Sequence, residues 1–73
     1  MAAQRYSVVL EQGDDGWIVV HCPALPGLWT QGRSREDALE NAREAIALFI
    51  EVLVEDGAPI PQDRAPEIAE VAI

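Results

Sequence analysis

The chain has 73 residues, enough for one domain whose single core supplies only about 3–5 kcal/mol, so help from another chain is expected. Thirteen acidic residues against five basic ones give a formal net charge of -8, which repels nucleic acid unless the arginines gather on one face; Arg5, Arg33, Arg35, Arg43 and Arg64 are scattered. The lone Cys22 excludes an internal disulfide framework, no cysteine–histidine spacing suits a structural zinc, and the longest apolar stretch, Ala45 to Leu53, is interrupted by Glu51 and too short to span a bilayer.

The N-terminus reaches strand-like sequence at once, with no apolar leader, so a cytoplasmic location is expected. Over Gln4 to Gln12, Tyr6, Val8 and Leu10 alternate with Arg5, Ser7 and Glu11, the pattern of a half-buried strand in which Val9 is the exception. Gly13-Asp14-Asp15-Gly16 supplies turn residues, and Trp17 to Cys22 is rich in β-branched and aromatic types, which predicts a hairpin. Pro23 and Pro26-Gly27 end the second strand in a turn. Leu28-Trp29-Thr30-Gln31 is a short third strand, closed by Gly32 in a left-handed or bulged conformation.

Ser34 followed by Asp37 resembles a capping box, and the helix it opens should run from about Arg35 to Asp56, with Gly57 at the left-handed C′ position and Pro59 beyond. Leu39, Ala42, Ile46, Phe49, Ile50 and Leu53 form the core-facing stripe; Asp37, Glu40, Glu44, Glu51 and Glu55 form an acidic face. Leu48, Val52 and Ala45 widen the apolar surface beyond what one small sheet needs, so Leu48 and Val52 are expected at a second interface, between copies in a dimer or higher oligomer. The proline-rich segment from Gly57 to Pro66 leads back to the sheet. Glu67 to Ile73, with Ala69, Val71 and Ile73 on one side, is expected as a final strand. No repeat or second domain is visible, and residues 1–73 read as one unit.

Several spaced elements together resemble the HicB-like antitoxins of type II toxin–antitoxin pairs. They are Gly16 before an aromatic-aliphatic strand, Pro23-Ala24-Leu25-Pro26-Gly27, Thr30-Gln31-Gly32, Ala38-Leu39-Glu40-Asn41-Ala42-Arg43-Glu44-Ala45, and Gly57 with Ile60-Pro61. The resemblance covers about Tyr6 to Pro61 and implies an α+β domain of the β-β-β-α-β kind. Its sheet is a truncated ribonuclease H-like one of order 3-2-1-4, with one helix on one face; a right-handed crossover would lay the last strand parallel to the first. It also implies a partner, a small basic HicA-type toxin that cleaves messenger RNA. Two positions depart from the family, which commonly has aspartate where Ala24 stands and cysteine where Leu28 stands, variation expected to be tolerated in a turn. Many members continue into a DNA-binding module; the present sequence stops at Ile73, so no C-terminal DNA-binding module and no direct nucleic-acid contact are expected.

Catalysis is not expected. His21 and Cys22 are adjacent on a strand and point to opposite faces, which separates the only candidate nucleophile–base pair. Asp14 and Asp15 favour a turn, and no acidic residue sits mid-strand facing another, so neither a metal site nor any cofactor is expected. Trp17 and Trp29 lack the basic groove that single-strand binders need and suit core or interface packing. The expected partner-contact residues are Asp14, Asp15, Trp17, His21, Trp29, Glu40 and Glu44. A homo-oligomeric structural or small-ligand-binding module without a toxin partner is the alternative, and a residual nuclease using Asp14 and Asp15 a third possibility.

Overall fold

A computed structural model describes residues 4–73. Three short strands, β1 (Val9–Gln12), β2 (Ile18–His21) and β3 (Trp29–Gly32), precede one helix, α1 (Arg35–Glu55). The strands form one antiparallel sheet in the order β1-β2-β3, in the register Val9↔His21↔Trp29 and Glu11↔Val19↔Gln31. The α+β class is as expected from the sequence, with each strand shorter than the apolar alternation around it.

Local chemistry explains the joints. In the β1–β2 hairpin the Gly16 amide donates to the Gly13 carbonyl (3.3 Å) and the Gly13 amide to the Trp17 carbonyl (2.7 Å). Gly16 lies at φ +85°, so a type I turn is closed by a left-handed glycine bulge. Asp15 completes it by accepting the Trp17 amide at 3.1 Å. At the helix start the Ser34 hydroxyl accepts the Asp37 amide (3.1 Å), and the Asp37 carboxylate reaches back to accept the Arg33 amide (3.0 Å), a capping box displaced by one residue. The helix ends one residue before the expected boundary. There the Ala58 amide donates to Leu53 (2.9 Å) and the Gly57 amide to Val54 (3.1 Å), with Gly57 at φ +68°; this is the Schellman arrangement that only a left-handed C′ residue closes.

Packing departs from the sequence expectation in three places. Gly32 is neither left-handed nor bulged: it is buried beneath α1, and a Cβ there would fall 2.6 Å from Ala38 Cα. That close approach draws Ala38 into the core beside Val20 and Ala42, and turns the buried stripe of the helix toward Ala38 and Ala45. Phe49 and Ile46, expected at the centre, pack only half-buried against it.

The second departure is the segment from Cys22 to Leu28. Expected as a turn, it folds inward through Leu25 amide to Cys22 carbonyl (3.0 Å) and Leu28 amide to Leu25 carbonyl (3.1 Å). Cys22, Ala24, Leu25 and Leu28 become a core cluster of their own under Ile46 and Phe49. Ala24 and Leu28 are therefore core positions. An apolar residue at each adds to the hydrophobic interior, so the placement of this variation in a turn is corrected to the core.

The third is the C-terminal segment. The connector does return to the sheet: the Tyr6 hydroxyl donates to the Pro61 carbonyl (2.6 Å), and Asp63 accepts from the Ser7 amide (2.7 Å) and the Ser7 hydroxyl (2.9 Å). Beyond it, residues 67–73 are exposed and form no strand, so the fourth place in the expected 3-2-1-4 order, beside β1, has no strand from this chain.

Candidate functional site

The helix lies over β2 and β3, leaving β1 to one side. Because side chains alternate along a strand, Leu10, Ile18, Val20 and Gly32 face α1 while Val9, Glu11, Val19, His21, Trp29 and Gln31 face away. No element of the described chain covers that outer face. Across it run two rows of cross-strand neighbours: Val9, His21 and Trp29 in one, Glu11, Val19 and Gln31 in the other. The His21 and Trp29 rings stack with centroids 4.5 Å apart, tilted by 32°. Trp29 remains 60% exposed. At the hairpin end, the Arg33 guanidinium sits 5.0 Å from the centre of the Trp17 ring, a cation–π contact.

Of the residues singled out from sequence, Trp17, His21 and Trp29 are thus brought together on one face. Asp14 and Asp15 stand exposed in the hairpin turn adjoining Trp17. Glu40 and Glu44 are exposed on the side of α1 turned away from the sheet, so the sheet separates them from the tryptophans. Charge alone grouped them with the others, and charge carries no information about which layer a residue occupies. Val9, Val19 and Arg33 were missed; the strand register that assembles them is the signal that would have found them.

Two further surfaces are open. Leu48 and Val52, 63% and 53% exposed, share a flank of α1 with Asn41, whose side-chain amide donates to the Gln31 carbonyl at 2.8 Å; this is the flank toward β3. On the opposite flank, between α1 and the segment leading into β1, Gln4, Tyr6, Val8, Leu39, Ala42, Arg43 and Ile46 line a groove of about 240 Å³. At its end the connector contacts shift two titrations. Burial, with the nearby Cys22 and Asp63, pushes the Tyr6 phenol above its ordinary value, and the two hydrogen bonds from Ser7 hold the Asp63 carboxyl below its own. Cys22 is buried in the core and His21 lies on the outer face, so the two do not meet. Among the described residues no three His, Cys, Asp or Glu side chains are grouped as metal ligands would be, and no helix is long and apolar enough to cross a membrane.

The family model described as the HicB-like antitoxin of bacterial toxin–antitoxin system matches residues 6–72. The chain belongs to the HicB-like antitoxin family. It is 45% identical over 64 residues to the UPF0150 protein Ta0767 of Thermoplasma acidophilum, an alignment spanning 88% of this chain and 93% of that one. A UPF0150 protein of Archaeoglobus fulgidus is 44% identical over 73% of this chain and 80% of its own length. Antitoxin HicB 1 of Photorhabdus laumondii is 42% identical over 78% of this chain, which matches 37% of that longer protein. No solved structure matches the chain.

Membership in the HicB-like family supports an antitoxin role, non-catalytic and regulatory, within a toxin–antitoxin pair. It also accounts for which motifs were visible in the sequence. Pro23-Ala24-Leu25-Pro26-Gly27 builds core, Thr30-Gln31-Gly32 builds the close approach of β3 to α1, and the helix start packs on it. These motifs belong to the scaffold. The outer face of the sheet carries Trp17, His21 and Trp29.

Proposed function

We propose that this HicB-like chain is a stoichiometric inhibitor of a basic, HicA-type messenger-RNA-cleaving toxin, acting by protein–protein contact in the cytoplasm and making or breaking no bond. The observation that carries this is the uncovered sheet face with its stacked His21–Trp29 pair in a chain of net charge -8. The field of such a chain attracts a basic protein over a distance of about 8–10 Å at ordinary ionic strength. A half-exposed tryptophan stacked on its neighbour then offers the rigid, low-entropy anchor typical of an interface hot spot. Trp17, His21 and Trp29 form the contact, with Asp14 and Asp15 at its rim; Glu40 and Glu44, on the far layer, contribute attraction without contact. In this reading residues 1–73 act as one domain, and no cofactor takes part.

The test is titration of the purified chain into a purified HicA-type ribonuclease. Cleavage of RNA should stop near one equivalent, and undiminished cleavage at saturation would reject the proposal.

The exposed Leu48 and Val52 favour a second reading, a homo-oligomer of dimer or higher order paired through this flank of α1. Sedimentation of the chain alone checks it: Leu48→Glu with Val52→Glu should reduce the mass if the flank pairs copies. The ribonuclease H-like sheet order 3-2-1-4 stays a proposal as well, because it requires a strand beside β1.

A further inference from the structure

Three features of the C-terminal side bear on one another. The first is the edge of β1, which has β2 on one side only; half of its backbone donors and acceptors therefore face away from the sheet, a template for one more strand. The second is the groove of about 240 Å³ that adjoins this edge, with Tyr6, Val8, Leu39, Ala42 and Ile46 as its apolar walls. Most of its wall is apolar, which leaves few polar groups to hold water. The third is the arm from Glu67 to Ile73, whose Ile68 and Val71 are 85% and 83% exposed. Its sequence alternates as a strand does, with Ala69, Val71 and Ile73 on one side.

The connector delivers the arm next to the groove and then away from it. Tyr6 and Ser7, at the approach to β1, hold Pro61 and Asp63. From there the chain runs through Arg64 and Ala65 into Pro66, which restricts Ala65 to extended backbone. The departure is visible in the dimensions: the radius of gyration is 13.8 Å, against about 11 Å for a compact chain of this length. An exposed apolar arm, an unfilled apolar groove and a stiff extended hinge between them are the parts of a reciprocal exchange.

We propose that the arm of one copy adds a strand to the β1 edge of a second copy, seating Val71 and Ile73 in its β1–α1 groove, while the second copy's arm does the same in return. The contact is self-complementary and closes as a two-fold dimer. Seven extended residues reach about 23 Å, comparable with the edge from Gln4 to Gln12. Arg43, one of the five basic residues of the chain, lies at the groove, and the incoming arm carries Glu67 and Glu70; the approach of two acidic chains is thereby eased where they meet. The two copies complete each other's four-stranded sheets, and the arrangement does not involve the outer face.

Sedimentation equilibrium of the full chain, with circular dichroism to monitor folding, tests it. The wild-type chain should be a dimer, and Val71→Glu with Ile73→Glu should be a monomer that keeps its helical signal, since both side chains lie outside the core. A groove variant, Leu39→Glu, should also be monomeric. Mixed with the arm variant it should form a heterodimer, because one intact arm then meets one intact groove. A monomeric wild-type chain would overturn the proposal, as would a dimer indifferent to the arm substitutions. A dimer lost on Leu48→Glu with Val52→Glu but kept by the arm variant would place the contact on the other flank of α1 and overturn it equally. Arms that pair within their own chains give a wild-type monomer, and mixing the two variants then forms nothing.

Discussion

Trp29→Ala separates a binding role from a structural one. Trp29 is 60% exposed and its stack with His21, at 4.5 Å between centroids, is its one aromatic contact. In the free chain the substitution removes that pair, which is worth about 0.5–1.5 kcal/mol, and creates no cavity. The chain should stay folded, with its melting temperature lowered by several degrees. In a complex, a central interface tryptophan costs about 2–4 kcal/mol when truncated, which weakens the dissociation constant roughly 30- to 800-fold. Isothermal titration of the toxin into wild-type and variant chains reads the second quantity, and thermal unfolding of the chain alone reads the first. If both change by the same small amount, Trp29 is a surface residue and the partner docks elsewhere. If binding is unchanged while the variant unfolds, the stack belongs to the fold.

Other expectations follow from the same geometry. Leu25→Ala empties a fully buried position in the larger core cluster and should cost about 2–5 kcal/mol, as much as the whole domain possesses; loss of the cooperative melt is the expected result. Glu40→Lys with Glu44→Lys moves the net charge from -8 to -4, each replacement adding two units; toxin association measured by stopped flow should slow at low salt while dissociation stays the same. The Ser7–Asp63 clasp should open in acid. The hydrogen bonds hold the Asp63 carboxyl below its ordinary 3.8, so its contribution is present above that value and is lost as pH falls through the lowered one. Tyr6, raised by burial, gives the opposite limb, lost as pH rises past 10. Amide exchange at Ser7 follows both, and Asp63→Asn should abolish the acid limb alone.

What was legible in the sequence is what is decided locally. Gly16, the Ser34–Asp37 cap and Gly57 each answer to the backbone within four residues of them, and each is found where turn and cap chemistry put it. Gly32 answers to Ala38 across a layer, and no local rule distinguishes a glycine that turns from one that lets a helix approach. Pro23-Ala24-Leu25-Pro26-Gly27 carries turn residues, yet the apolar residues between them decide that it folds inward. Alternation in Glu67 to Ile73 describes a strand's faces but not its neighbour, which is a non-local choice. The site divides the same way. Trp17, His21 and Trp29 were recognisable as residue types that seek partners, whereas their common face depends on a register that sets Val9, His21 and Trp29 in one row.

The two sides of this sheet carry different proposed tasks, and their separation has a consequence that can be measured. Arm exchange uses the β1 edge and the groove beneath α1; toxin contact uses the outer face, on the other side of a sheet one strand thick. Neither set of side chains includes a member of the other. Occupying one surface should therefore leave the affinity of the other unchanged, as for sites with no shared partners. The chain carrying Val71→Glu and Ile73→Glu should inhibit the toxin at the same one-to-one ratio as wild type, within about a factor of two in dissociation constant on that additivity, while the complex has half the wild-type mass by light scattering. A toxin that binds only the dimer would fail this test, and would mean that its footprint crosses the β1 edge onto the second copy.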